Sequence, residues 1–278
     1  FEVTGLVIGG TQCGSQTASA VLAADTNTIV QVLTLLASRN DAQITFSTTA
    51  STFHALSAQA DDGVLAKIEV NTDIGALSCS GNYDAAADSN DELGFTDGRT
   101  VTAKTLLTLE ATTGNIYAEG LLTLKAGTGI VILDDMTSVT SGKAVVIDAD
   151  YETPGDGTLT IYTNKKLTTT NSALTVTAWD LDLQTTSGID AGTGVISIHG
   201  AKAAETIGLG DSSSQMHITN TELQGIVASG GLRLGDADDG SVTIDGITQL
   251  GSNQIANLLT IVAPAEGAQL SFGDAPST

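Results

Sequence analysis

The end of this 278-residue chain repeats its beginning, and this repeat restricts the possible folds more than any other sequence feature. Gly5-Leu6-Val7-Ile8-Gly9 returns as Gly231-Leu232-Arg233-Leu234-Gly235, so residue 5 corresponds to residue 231 at an offset of 226. Without a gap, the same offset aligns further identical residues, among them Leu33-Thr34 with Leu259-Thr260, Ala42-Gln43 with Ala268-Gln269, and Phe46 with Phe272. A sequence that restarts in this way is typical of a tandem array. It predicts one long repeat unit over residues 1–230 and the start of the next unit over residues 231–278.

A shorter rhythm of strands and turns runs inside the long unit. Leu106-Leu107-Thr108-Leu109 is echoed fifteen positions later by Leu121-Leu122-Thr123-Leu124, and aliphatic residues alternate with threonine, as in Leu159-Thr160-Ile161. This period of two is typical of half-buried β-strands, and the Gly, Asp and Asn residues between the runs favour tight turns. Residues 28–37 are rich in β-branched side chains and are expected to form a strand rather than a helix. The residues predicted to face inward are Leu107, Leu109, Leu122, Leu124, Ile132, Ile161, Val176, Ile196 and Ile198.

Many short strands at near-regular spacing are compatible with two all-β architectures. In a β-solenoid, which is like a parallel β-helix, successive coils stack into a repeat rod, whereas the alternative is a series of tandem antiparallel β-sandwich domains. Aromatic residues make up only 4% of the chain, the turns are small and no linker interrupts the composition, and these features favour the solenoid. If the fifteen-residue echo marks one coil of roughly 15–20 residues, about 14–18 coils would form a rod roughly 65–90 Å long at the ~4.8 Å strand spacing of a sheet.

Two strand-turn phrases carry a resemblance to known surface proteins. Gly120-Leu121-Leu122-Thr123-Leu124-Lys125-Ala126-Gly127-Thr128-Gly129-Ile130 and Thr206-Ile207-Gly208-Leu209-Gly210 resemble the repetitive surface proteins of filamentous-haemagglutinin type. They are also similar to the giant tandem-repeat ectoproteins of microbes and algae. The resemblance implies an extracellular β-solenoid or β-rich array that serves adhesion or cell-surface structure. It implies no catalytic residues.

The composition is strongly acidic. Acidic residues outnumber basic ones by 32 to 10, which gives a net charge of −22 and a pI near 4.1. A negative field of this size repels phosphate backbones and anionic lipid, so nucleic acid is not expected as a partner. The longest apolar runs, such as residues 258–263, are too short to span a bilayer. Abundant Thr, Ser and Gly with few Lys and Arg predict an extracellular or cell-surface location, with bound or O-linked glycans as further partners.

One acidic turn has the residue types of a cation-binding loop. Asp236, Asp238 and Asp239 precede Gly240 and could hold a calcium ion weakly. However, the glycine comes one place too early for an EF-hand, and Ile247 stands where the bidentate glutamate would be. A turn that carries solvated charges is the favoured interpretation, and the sequence predicts no cofactor other than this weak calcium.

No catalytic site is predicted. His199 and His217 lie 18 positions apart without an evident third metal ligand, which favours ordinary surface histidines. A calcium-dependent polysaccharide-degrading solenoid enzyme would use a basic residue beside acids. The best cleft-like cluster of this kind consists of Arg99, Asp88, Asn90, Asp91, Glu92 and Asp97. Since Trp179 is the only tryptophan, aromatic platforms for sugars are scarce, and an enzyme is the least favoured function.

Cys13 and Cys79 are an even pair, as is common in an oxidising compartment. In a simple solenoid, the stretch from residue 13 to residue 79 corresponds to three or more coils, or roughly 14–20 Å along the axis. A disulfide requires Cα atoms ~4.4–6.8 Å apart. An unbroken solenoid across this region therefore predicts that the two cysteines are not bridged within one chain.

Together, these patterns predict a non-enzymatic structural unit of an extracellular filament or cell-surface rod. The repeat predicts head-to-tail contacts between copies of the chain, through an interface that includes Leu232, Leu234, Leu270 and Phe272. Units joined covalently and separate chains that stack are both compatible with the repeat. A glycan-binding adhesin segment is the first alternative function, and a cation-dependent polysaccharide-degrading enzyme is the second.

Overall fold

The computed structural model describes residues 2–87, 90–152 and 155–277. Strands account for 44% of the chain and helices for 5%, which confirms the all-β prediction. The stretch Ile29–Ala37 forms a strand, as its β-branched content predicts. All nine predicted inward residues are buried, with at most 1% of the surface of any of them exposed.

Three parallel sheets form the sides of a three-sided rod, and the strands are numbered along the chain. Face A contains, in spatial order, β1 (Val3–Gly10), β3 (Ile29–Ala37), β6 (Leu56–Ala60), β9 (Leu77–Ser80), β12 (Leu106–Glu110), β15 (Gly129–Ile132), β18 (Thr158–Ile161) and β21 (Asp180–Leu183). Face B contains β2 (Gln16–Ala18), β4 (Ile44–Phe46), β7 (Val64–Ala66), β10 (Leu93–Phe95), β13 (Ile116–Ala118), β16 (Met136–Ser138), β19 (Lys166–Thr168), β22 (Gly188–Asp190) and β26 (Ile226–Val227). Face C contains β5 (Ser51–Phe53), β8 (Val70–Thr72), β11 (Arg99–Ala103), β14 (Leu122–Ala126), β17 (Val145–Asp148), β20 (Leu174–Ala178), β23 (Ile196–Gly200), β27 (Leu232–Leu234) and β29 (Leu259–Ile261).

Consecutive strands visit faces A, B and C in turn, so three strands and their turns make one coil. Every strand pair in the described part of the chain is parallel. The β-solenoid is therefore confirmed, and the alternative of tandem antiparallel sandwiches is wrong.

The coils are longer than the sequence echo predicts. On face A, Ala58 pairs with Cys79 one coil later, and Cys79 pairs with Leu109 on the coil after that. The fifteen-residue echo instead links β12 on face A to β14 on face C of the same coil. The predicted coil of 15–20 residues and the predicted 14–18 coils are therefore wrong, because the echo marks a repeated strand-turn phrase and not a full circuit. The nine strands of face B or C make a stack only about 40 Å long.

Near the C-terminus a fourth sheet interrupts the regular order. Its strands are, in spatial order, β25 (Met216–Ile218), β24 (Ile207–Gly210), β28 (Val242–Asp245) and β30 (Leu270–Phe272). The sheet continues the stack beyond β21 of face A, and two carboxylates bridge the break in the ladder. The backbone N–H of His217 donates to Asp180 Oδ1 at 3.1 Å, and that of Leu183 donates to Glu222 Oε1 at 3.3 Å. Since β24 precedes β25 in the chain but lies farther from β21, the chain steps back one level before it resumes face B at β26.

Three short helices replace strands at corners of the rod, namely α1 (Ala23–Thr26), α2 (Asn220–Gln224) and α3 (Gln249–Ser252). α1 lies beside β5, where Thr26 Oγ1 accepts the backbone N–H of His54 at 2.8 Å. α2 and α3 pack against each other. The hydroxyls of Thr219 and Thr248 cap these two helices, whereas the cap residue of α1 is Leu22, whose side chain makes no capping hydrogen bond. Hydroxyl caps satisfy backbone N–H groups that a helix start leaves unpaired.

One continuous apolar core fills the rod. Its two largest fully buried side chains, Phe46 and Phe53, pack edge to face with 6.2 Å between their ring centroids. Both cysteines are free, in agreement with the prediction that an unbroken solenoid keeps them apart. Cys13 is partly exposed between β1 and β2. Cys79 is buried on β9, and burial raises the pKa of its thiol to about 12.

Candidate assembly surfaces

The C-terminal end of the rod finishes in two open strands. β29 pairs with β27, and β30 pairs with β28, and within the described residues no strand occupies their other edges. On β30, Leu270 is 48% exposed and Phe272 is 71% exposed. Unpaired backbone groups beside bare apolar side chains are the features through which a strand edge recruits another strand. Leu270 and Phe272 thus lie on the outermost strand, at an accessible end of the rod.

Leu232 and Leu234 are placed differently from the prediction. Both lie on β27, which is covered by β23 on one side and by β29 on the other, and at most 1% of either residue is exposed. The expectation that they form the assembly interface is corrected, because the last coil folds over them. They belong to the core of this chain.

The N-terminal end is open as well. β1 pairs with β3 and β2 pairs with β4, and their outer edges face no other described strand. Val3, Leu6, Val7 and Ile8 expose between 41% and 59% of their surface. Beside them, a cavity of about 430 Å³ opens toward the core, with a lining that includes Leu33, Leu35 and Phe53. Core side chains are therefore accessible from this end too.

The two ends are built alike. At the offset that aligns residue 5 with residue 231, the elements β1, β2, α1, β3 and β4 fall on β27, β28, α3, β29 and β30, and positions 23–26 of α1 fall on positions 249–252 of α3. Leu6 pairs with Leu33 just as Leu232 pairs with Leu259. Likewise, β2 pairs with β4 in the same register as β28 pairs with β30. The repeated sequence therefore has the same pairing register at both ends.

The turn considered for calcium folds as a hydrogen-bonded loop. Asp239 is buried, and its two carboxylate oxygens accept the backbone N–H groups of Gly200 and Asp236 at 3.0 and 2.9 Å. Asp236 accepts the N–H of Asp238 at 2.8 Å and lies 3.5 Å from His199 Nδ1. Across residues 2–87, 90–152 and 155–277, no group of three or more His, Cys, Asp or Glu side chains is arranged to hold a metal ion. The geometry assigns these carboxylates a role in shaping the turn.

A buried glutamate beside this turn has no signal in the sequence. Glu205 Oε2 accepts the N–H of Lys202 at 3.0 Å. A Cβ at Gly200 would lie only 2.8 Å from that oxygen and 2.9 Å from Glu205 Cβ, so a larger residue there would displace the glutamate. Burial, with a smaller contribution from the carboxylates of Asp239 and Asp150, raises the pKa of Glu205 to about 7. The lysine and alanines before Glu205 are typical of an exposed loop, which is why its burial could not be predicted.

The fold places the two candidate histidines on different sheets, and the Arg99 side chain binds backbone carbonyls. His199 lies on β23 of face C, whereas His217 lies on β25 of the fourth sheet. Arg99 donates from Nε and Nη2 to the backbone carbonyl of Asp97 at 3.0 and 2.9 Å. Asp88, which was grouped with Arg99, lies outside the described residues. Arg99 Nη1 also donates to the carbonyl of Lys67 at 3.3 Å, so the Arg99 side chain is engaged with backbone carbonyls of two segments.

A groove of about 430 Å³ crosses face B, where Gly94 interrupts the outward side chains. Gly94 pairs with Leu65 on one side and with Tyr117 on the other, so the aromatic ring lies beside the gap. Glu92 and Glu119 also line the groove, and burial together with the charge of Glu119 raises the pKa of Glu92. An aromatic surface next to a few polar groups is the usual composition of a small-ligand site.

No described helix has the length and apolar character needed to cross a membrane. Comparison of the chain with protein-family models, with curated proteins and with solved structures finds no match. The geometry of the two ends is consequently the main support for any function of this chain.

Proposed function

We propose that this chain is a non-enzymatic structural repeat of an extracellular filament or cell-surface rod, in which units stack head to tail. The observation that carries the proposal is that the rod is closed along its sides and open at both ends. Strands in the middle of each stack are paired on both edges, whereas β1 and β30, with their exposed apolar side chains, each have one edge that no other described strand pairs with. A contact between two different ends does not close on itself and therefore propagates into a filament.

The charge of the chain sets a condition on this assembly. With a net charge of −22, two units repel each other, and the repulsion is screened over about 8 Å at physiological ionic strength. Stacking is therefore expected to strengthen as salt is added at constant protein concentration. The same charge keeps a long polymer in solution, as a filament outside the cell requires.

Sedimentation velocity and negative-stain microscopy of the full chain at rising concentration test the proposal. We expect rods that lengthen with concentration, because apolar end surfaces are covered when units meet. Phe272→Asp and Leu270→Lys should abolish the growth while the unit stays folded. Leu121→Lys is the matched control, since Leu121 is 47% exposed on the side of the rod against 48% for Leu270. Growth that is unchanged in both junction variants would place the contact elsewhere and overturn this model.

Glycan binding on face B is the second candidate, and the groove beside Tyr117 favours it. We propose that the ring stacks on a sugar face while the carboxylates of Glu92 and Glu119 accept hydrogen bonds from the sugar hydroxyls. Binding of the chain to an array of neutral glycans should be lost in Tyr117→Ala. Tyr162→Ala is the control, because Tyr162 is exposed outside this groove. Equal binding by both variants would exclude the groove as the glycan site.

A further inference from the structure

The two ends are equivalent in sequence and register, but their equivalent elements lie on different faces. β1 is on face A, while its equivalent β27 is on face C, and β2 is on face B, while its equivalent β28 is in the sheet that continues face A. α1 takes the place of a face-C strand beside β5. α3 takes the place of a face-B strand, since Gln254 just after it accepts the N–H of Ala228 just after β26 at 3.0 Å. Every equivalent element is displaced by one face, and always in the same direction.

We infer that each unit of the array is turned by one face, about a third of a turn, relative to the unit before it. This inference rests on the head-to-tail array proposed above. Its physical basis is the number of faces that one repeat visits. The chain starts on face A at β1 and reaches the equivalent strand β27 on face C, which is one face short of a whole number of coils. A repeat of this length cannot return to the face on which it began.

The same equivalence identifies what the open C-terminal edge accepts. Phe46 on β4 is fully buried, because β7 pairs with it through Ala66 and the ring of Phe53 packs against it. Its equivalent, Phe272, is bare. A segment with the sequence of residues 53–66, supplied by a second copy of this chain, continues the pairing already established between β3 and β6 and between β4 and β7. The strand like β6 then lies on β29 of face C, and the strand like β7 lies on β30.

The rotation has a consequence for the sides of the filament. Any surface feature of one face, such as the groove beside Tyr117 on face B, lies on another side of the rod in the next unit. It returns to the same side only after three units. A partner that binds this groove therefore meets sites arranged around the filament and not along one line.

A chain of two units tests the inference directly. The full chain is continued by residues 53–278 of a second copy, in a background with Cys13→Ser and Cys79→Ala. Within a unit, Thr34 on β3 pairs with Ser57 on β6, so Thr34→Cys with Ser57→Cys is the control pair for disulfide formation. The residue equivalent to Thr34 is Thr260 on β29. We expect Thr260→Cys to cross-link with Ser57→Cys of the appended copy as readily as the control pair does.

A junction that preserves the faces would instead place Ser57 of the appended copy beside Ser271 on β30. A cross-link through Ser271→Cys, or through neither position, overturns the inference, as does an appended copy whose circular dichroism shows that it stays unfolded. Self-association of separate chains is not needed in this experiment, because the units are covalently joined. Failure of the filament proposal and failure of the rotation are therefore distinguishable.

Discussion

The first two coils and the last two coils are two versions of one fragment in the same molecule. The first copy is exposed at its start and buried at its end, whereas the last copy is buried at its start and exposed at its end. We call residues 5–52 the N-terminal fragment and residues 231–277 the C-terminal fragment. In the N-terminal fragment Leu6 is exposed and Phe46 is buried, whereas in the C-terminal fragment Leu232 is buried and Phe272 is exposed. Strands, short helix and register are the same in both. The sequence of the fragment therefore sets its fold, and the neighbouring coils set its burial.

The largest expected effect separates the two equivalent phenylalanines. Phe46→Ala leaves a cavity in the core and should lower the free energy of unfolding by about 3–5 kcal/mol. Phe272→Ala removes an exposed ring and should change it by less than about 0.5 kcal/mol in dilute protein. Urea unfolding of both variants measures the difference. Equal losses would mean that the C-terminal edge is already covered in a single chain.

For the first strand of each fragment we expect the opposite result, with the larger loss of stability in the C-terminal fragment. Leu232→Ala should cost about 2–5 kcal/mol, since Leu232 is enclosed between β23 and β29. Leu6→Ala on the bare strand β1 should cost well under half as much, because little apolar area is lost there. Thermal unfolding at low protein concentration reads out both. A Leu6 variant as damaging as the Leu232 variant would contradict the open N-terminal end.

A pH effect should distinguish the surroundings of the two fragments. Glu205, which precedes the C-terminal fragment, lies beside Asp239 of that fragment, whereas the position equivalent to Asp239 in the N-terminal fragment is Cys13. Burial raises the pKa of Glu205 from 4.5 to about 7, so the folded state holds this proton more tightly than the unfolded state. The resulting stability is fully present below pH 4.5 and is lost as the pH rises through 7, by up to about 3 kcal/mol. The raised pKa values of Asp150 and Asp239 act in the same direction.

Urea unfolding between pH 4.5 and 8 measures this dependence. Glu205→Gln keeps the shape of the side chain but cannot ionise, so the fall in stability with rising pH should shrink in this variant. A profile that Glu205→Gln leaves unchanged would show that the dependence arises from other groups.

The smallest expected effect concerns the helix caps, where the fragments differ at equivalent positions. Thr248 caps α3 by accepting the N–H of Gly251 at 3.1 Å, whereas the side chain of Leu22 provides no such bond to α1. Thr248→Ala should therefore destabilise the chain by about 1 kcal/mol, and Leu22→Thr should stabilise it by roughly half that amount. Calorimetry of both variants gives the two signs. Destabilisation by Leu22→Thr would mean that the exposed leucine has a packing role.

The alternation of Leu159 and Ile161 with threonines was sufficient to predict strands and inward faces, because the period of two depends on local geometry alone. The coil length was not predictable in the same way, since similar phrases recur on two faces of one coil. The backward step from β24 to β25 and the burial of Glu205 depend on contacts between coils that no local pattern records. For the same reason the sequence could not show that Leu232 is buried and Phe272 exposed. Their equivalents have the opposite burial, since Leu6 is exposed and Phe46 is buried.

Hydrogen exchange of the full chain at increasing protein concentration tests most directly whether the two open ends cover each other. In dilute solution we expect the backbone N–H groups on the outer edges of β1 and β30 to exchange quickly, while β12 to β20 stay protected. At high concentration, β1, β2, β29 and β30 should gain protection together, because a head-to-tail contact covers both ends at once. Head-to-tail stacking would be contradicted if only one end gained protection at high concentration. It would also be contradicted if exchange at both ends stayed equally fast at every concentration.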